Sequence, residues 1–334
     1  MNIINKDSKS QQDEVDLNDS SPVEPIQKKR WINLSTKNTW ALIGLFAYFF
    51  GLISGYGLWG KVESAAKIAQ ENQSEVEALL EQIHPQEGYV LPIEFGDLGP
   101  QMVSAGVIDR EKFIQTYQQA GQPLSTEQLA ILDGTFQGEI IANQENAYFL
   151  LNFLWAVGLS SKNPVLDSGP IQQYGENDPT RFASTGGWTI ATKPINEIFS
   201  SLDSIILTTD QQKRVEEAAK LVYRPCCNNS TYFPDCNHGM AMLGLFELIA
   251  SKDLGTEEML NAAKNINALW FPQQTLEQAI FFQKTDGRNF QDIDARTILG
   301  EQFSSNSGFK QLNQFLIQNN WLPQSDNNAG GCGV

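Results

Sequence analysis

An all-α, multi-helix globular domain with long irregular loops, preceded by one transmembrane helix, is the fold class this sequence predicts. Three observations predict it: one long uncharged apolar stretch near the start, a series of helix start and stop signals beyond it, and no segment of useful length with strand period. No internal repeat is visible. The 334 residues, 41% of them apolar, suffice for a real core.

The first 37 residues read as a disordered tail, because residues 1–27 are rich in Asn, Asp, Gln and Ser and have few apolar side chains to offset the entropy of ordering. The next 23 residues, 38–60, carry no charge, and the apolar heart from Ala41 to Trp59 nearly matches a bilayer core of about 30 Å. Trp40 and Trp59 bracket the stretch at headgroup level. Lys28, Lys29, Arg30 and Lys37 precede it, whereas only Lys61 and Lys67 follow closely, so the positive-inside bias puts the N-terminus in the cytoplasm and the main domain outside it. A cleaved signal peptide, with Ser64-Ala65-Ala66 as its cleavage site, fits less well because such leaders are short. Gly51 and Gly55 form a GxxxG pair through which two anchors could meet as a homodimer.

Residues 61–85 predict a stalk helix, with apolar positions at helical spacing and a stop at Pro85; His84 reads as exposed. The domain proper spans 86–325. A short helix is expected around Pro100–Ala105, then one opened by Asp109 and closed by Gly121, and a third with a Ser125/Gln128 capping box that ends at Gly134. Residues 143–157, apolar on nearly every face but too short to cross a bilayer, predict a buried central helix. Residues 159–192 show no helical periodicity and read as a long loop. Its Thr185-Gly186-Gly187 lacks the strand and the GKS or GKT of a phosphate loop, so no nucleotide motif is present. Further helices are expected over 210–223 with a Thr209/Gln212 box, 237–251, 257–270, 273–284 and 308–319.

The formal charge of -16 lies wholly beyond the anchor, since residues 1–60 hold equal numbers of acidic and basic side chains. An acidic domain repels phosphate backbones and anionic headgroups, which argues against nucleic-acid binding and leaves the N-terminal helix as the membrane contact. Arg181 and Arg288, beside loop glycines, read as ordinary surface charge.

One segment stands apart. Of the four Cys, two His and five Met in the chain, six fall within Cys226–Met242: Cys226, Cys227, Cys236, His238, Met240 and Met242. The adjacent cysteines leave one helix at Pro225, and Asp235 or Asn237 is positioned to cap the next, so the two helix ends should lie close. Cys236 then sits at a helix N-terminus, where the thiolate is favoured. His238 and Met242 share a face. The fourth cysteine, Cys332, lies in a flexible Gly-rich tail, 326–334.

Three functions fit. Thiolates, an imidazole and thioethers form a soft set suited to copper or zinc, with Cys227, Cys236 and His238 as ligands and Cys226 and Met242 next. Alternatively, disulfides staple a structural or interaction domain, one of the adjacent cysteines pairing with Cys236 and the other with Cys332. Thiol redox or Cys-dependent catalysis is the third, with Cys227 rather than Cys236 facing the imidazole. The spacing excludes CxxCH haem attachment and the CxxC redox motif.

Overall fold

A computed structural model describes residues 73–322. The anchor at 38–60, the Gly51/Gly55 pair, the tail 1–37 and Cys332 lie outside the described residues. Among the described residues no helix is long and apolar enough to cross a membrane.

Helices dominate. The chain enters through α1 (73–83) and β1 (Tyr89–Leu91), then α2 (Leu98–Ala105), α3 (Arg110–Gln119) and α4 (Thr126–Leu132), followed by β2 (Ile140–Ala142) and α5 (Ala147–Ser160). Four one-turn or two-turn helices follow: α6 (Pro164–Asp167), α7 (Pro170–Gly175), α8 (Ala183–Gly186) and α9 (Ile195–Ile198). The second half contains α10 (Thr209–Leu221), α11 (Asn237–Ser251), α12 (Thr256–Trp270) and α13 (Pro272–Asp286). It closes with α14 (Ala295–Leu299), α15 (Glu301–Ser304) and α16 (Asn306–Gln318).

Several expected boundaries are met by their expected caps. Asp109 accepts from Lys112 N to open α3, and Ser125 with Gln128 forms a reciprocal box on α4. Others shift. The box on α10 is Thr208/Gln211, one residue earlier than expected, and Gln212 instead donates to Asn163 and Glu216. In 159–192 the Pro residues 164, 170 and 179 stand at first helical positions, where a missing N–H is harmless, so the stretch is a chain of short helices rather than one loop.

Two corrections concern the entrance. β1 and β2 pair antiparallel, Tyr89 opposite Ala142 and Leu91 opposite Ile140, in strands of three residues, too short to register as a period of two. The described part of the expected stalk is not free-standing: Leu79 and Ile83 are buried in the core, and Glu75 pairs with Lys284 at 2.6 Å. His84 is half-buried; Nε2 lies 2.9 Å from the Ala268 carbonyl, and Nδ1 3.0 Å from the Gln144 amide.

At the centre α5 lies against α11, both buried almost throughout. The approach requires glycine on both sides. A Cβ on Gly158 would stand 2.1 Å from the Met240 carbonyl oxygen, and one on Gly244 would stand 2.6 Å from that of Leu154. Helix α12 then packs on α10, α11, α13 and α14, and α16 covers α13. Inside this core Glu247 of α11 is 1% exposed; its Oε1 accepts from Asn163 Nδ2 at 2.5 Å. Burial raises the Glu247 carboxyl well above the ordinary glutamate range, against the opposing bond from Asn163.

Two outcomes are expected. Gly244→Ala forces the α5–α11 contact apart and lowers stability by about 1–3 kcal/mol, read as a fall in the urea midpoint with unchanged slope. For Glu247, the unfolded chain releases its proton above a pH of about 4.3 while the folded chain keeps it, so stability falls as pH rises through that window. Glu247→Gln removes this dependence: melts from pH 5 to 8 should show the variant gaining on the native protein with each step, and parallel curves would refute the buried neutral acid.

Candidate metal centre

The loop between α10 and α11 gathers the sulfur. Helix α10 ends at Leu221, ahead of Pro225, and the loop folds back on that helix end: Thr231 N bonds to the Val222 carbonyl and Tyr232 N to that of Ala219. Its rim is tied to two other segments. Asn306 N donates to the Cys227 carbonyl at 2.9 Å, and Ser184 N donates to that of Asp235 at 3.1 Å.

The loop delivers three thiols to one spot. The Cys226 and Cys236 sulfurs are 3.5 Å apart, those of Cys227 and Cys236 3.9 Å, and those of Cys226 and Cys227 4.0 Å. Cys236 itself is the N-cap of α11, in place of the Asp235 or Asn237 expected there, and its sulfur accepts from Gly239 N at 3.4 Å. Being a cap rather than a helical residue, Cys236 turns its side chain back over the helix end and so shares a site with His238. The ligand atoms of Cys226, Cys236 and His238 all lie within 4.8 Å of one another. Cys227 belongs instead to a second group, with Asp235 and Cys236. Cys226, not Cys227, therefore accompanies the imidazole.

Arg224 was not among the residues that the sequence pattern marked. Its side chain is 0% exposed; Nη1 donates to Thr231 Oγ1 at 3.0 Å, and Nη2 donates to the Cys227 sulfur at 3.2 Å and the Cys236 sulfur at 3.6 Å. Asp235 stands 3.7 Å away. Burial works against the guanidinium charge, but the sulfurs of Cys236, Cys227 and Cys226 with Asp235 outweigh it and hold Arg224 protonated. Gly239 makes room, since a Cβ there would meet Nη2 at 2.7 Å. The signal in the sequence was the Arg-Pro-Cys-Cys run next to a helix end, which says nothing of where a long side chain turns.

The electrostatics divide the thiols. Hydrogen bonds from the Cys226 and Cys227 thiols, with Arg224 beside them, hold Cys236 well below the ordinary thiol range despite burial. Cys226 and Cys227 are pushed up. Burial lowers His238 to about 4, so its ring is neutral at pH 7 and carries a free lone pair. Both ring nitrogens lack a hydrogen-bond partner among the described residues, although the ring is only 8% exposed and packs on Trp270 and Phe271. A neutral imidazole without a hydrogen-bond partner, beside two sulfurs, is a donor set compatible with a metal ion.

The remaining expectations fall as follows. Met242 is fully buried in the core, one turn beyond His238. The expected disulfide with Cys236 is not formed: Cys226, Cys227 and Cys236 are free, and even the closest sulfurs are well beyond the roughly 2.05 Å of a bond. Arg181 and Arg288 are paired with Glu176 and Asp286. A separate cavity of about 920 Å³ opens between α4, α5 and α12, and Trp270 is a wall of it as well as a neighbour of His238.

No known protein family matches this chain, and no curated protein and no solved structure matches it. The Cys/His/Asp group within metal-ligating distance stands on its own geometry.

Gly239→Ala pushes the guanidinium off the sulfurs. The pH profile for alkylation of Cys236 in the reduced, metal-free protein should then move upward, and stability should fall by about 1–3 kcal/mol. An unmoved profile would show that Arg224 does not support the thiolate.

Proposed function

We propose that this chain is a single-pass membrane protein whose extracytoplasmic helical domain binds one soft metal ion, copper or zinc, in the Cys226, Cys236 and His238 cluster. The observation that carries the reading is the orphaned, neutral His238 ring facing two sulfurs 3.5 Å apart. A metal about 2.3 Å from sulfur and about 2.0 Å from nitrogen needs ligand atoms roughly 3.5–4 Å apart, so only a small closure of the imidazole is required. Thiolate and imidazole are the soft donors that copper and zinc take. Support for the anchor is the uncharged stretch 38–60 with its preceding basic cluster.

A second reading, thiol redox or nucleophilic chemistry, is favoured by the Cys236 thiolate at the N-terminus of α11. The two separate in one experiment. The full-length chain, reduced and freed of metal, is titrated with each ion and then alkylated. One equivalent bound, Cys226 and Cys236 protected, and a stabilisation of about 2.7 kcal/mol at a hundredfold excess over Kd are expected. Rapid alkylation of Cys236 with no ion retained would overturn the metal reading in favour of thiol chemistry. Protease added to intact cells should digest the domain beyond residue 61; protection would place it on the cytoplasmic side and overturn the topology.

A further inference from the structure

We infer that the site is built for a monovalent, three-coordinate ion, copper(I), held by Cys226, Cys236 and His238, with Arg224 keeping Cys227 out of the coordination sphere. The inference rests on the metal-site reading and deepens it by naming the ion.

Two ligand groups share Cys236, and only one of them is open. In the second, Cys227, Asp235 and Cys236 converge, but the Nη2 of Arg224 already stands 3.2 Å, 3.7 Å and 3.6 Å from their respective acceptor atoms. The guanidinium is itself the cation of that group. It is also fixed there, because Arg224 is fully buried, Thr231 Oγ1 holds its Nη1, and Gly239 leaves it just enough room. Cys227 has its sulfur further engaged 3.7 Å from the Asn229 carbonyl, and its own carbonyl accepts from Asn306 N. The group that includes the imidazole is a set of three atoms, two sulfurs and one nitrogen; Cys227 lies outside it and is the sulfur that Arg224 holds more closely, at 3.2 Å against 3.6 Å for Cys236. Zinc takes four ligands, all from protein in structural sites and with a water in the fourth place in catalytic ones, while copper(I) is satisfied by a soft set of three such as this.

Charge points the same way. Two thiolates, a neutral imidazole and a monovalent ion leave one negative charge, which Arg224 faces directly through Cys236. A divalent ion would leave that centre neutral and the buried guanidinium with only Asp235, beyond hydrogen-bond distance, as an anionic partner. Zinc would regain the balance only by adding a fourth, anionic ligand, Cys227 as a third thiolate or a hydroxide.

The test uses the full-length chain, reduced and metal-free, with copper(I) delivered against a coloured copper(I) chelator and zinc against a zinc chelator. X-ray absorption on the copper-loaded native chain should show two sulfurs and one nitrogen, and it requires no variant. Cys227→Ser keeps an acceptor for Arg224 and should hold copper(I) within about threefold of the native Kd, below the 10–100-fold loss that follows removal of a supporting contact. Cys226→Ser or His238→Ala should weaken copper(I) by more than about a hundredfold. The inference is overturned if the native chain prefers zinc with three sulfurs and one nitrogen, or if Cys227→Ser and Cys226→Ser weaken copper(I) equally; the metal reading survives both results. Failure of both ions to bind the native chain overturns the two together.

Discussion

The contact between α5 and α11 fixes where everything else can stand. Both helices are apolar around most of their circumference, so each gains most by lying in the middle of the domain, and two facing glycines allow backbone to meet backbone. With α11 held at that depth, its first turn cannot reach open solvent. The four amide groups at a helix start must still be satisfied, and here a cysteine sulfur takes the place of the usual hydroxyl or carboxylate. A site at the half-buried end of a central helix follows from packing before any chemistry is considered.

Arg224 turns that packing consequence into a chemical one. A guanidinium cannot shed its charge, so burying it is tolerable only where anions meet it, and the partners here are sulfurs rather than a bidentate carboxylate. Sulfur is diffuse and, as a thiol, a poor anion; beside Asp235 at 3.7 Å, a charged Cys236 sulfur gives the guanidinium a second anionic partner. The same guanidinium in turn favours the thiolate. His238 completes the arrangement, buried and neutral, and so offers a lone pair rather than a competing positive charge.

Much of this was legible in the sequence, in a particular way. Helix type and order could be read from caps such as Asp109 and Ser125, because local hydrogen bonds decide them. The clustering of sulfur at 226–242 was visible as a compositional fact, and the convergence of two helix ends followed from Pro225 and the start of α11. What could not be read were matters decided at long range. The pairing of Tyr89 with Ala142 joins strands some fifty residues apart. The exchange of Cys227 for Cys226 beside His238 depends on a buried arginine whose direction no local pattern encodes. The sequence placed Cys236 at the start of α11 but gave the cap to Asp235 or Asn237; that Cys236 itself is the cap is decided by the packing of the loop.

The loop holding the cysteines is irregular, yet it is tied at several points, and this bears on how an ion would be kept. Thr231 and Tyr232 anchor it to the end of α10, Asn306 and Ser307 hold Pro225, Cys227 and Asn228 from the start of α16, and Ser184 holds Asp235 from α8. Three segments, two of them distant in sequence, thus fix the ligand-bearing backbone. Ordering entropy is spent during folding rather than at binding, so more of the coordination energy appears as affinity. Removing a bound ion would then require either competing thiols that can enter the half-buried site or a local opening that breaks several of these ties together. That favours a resident or tightly handed-over ion over one in rapid exchange with solvent.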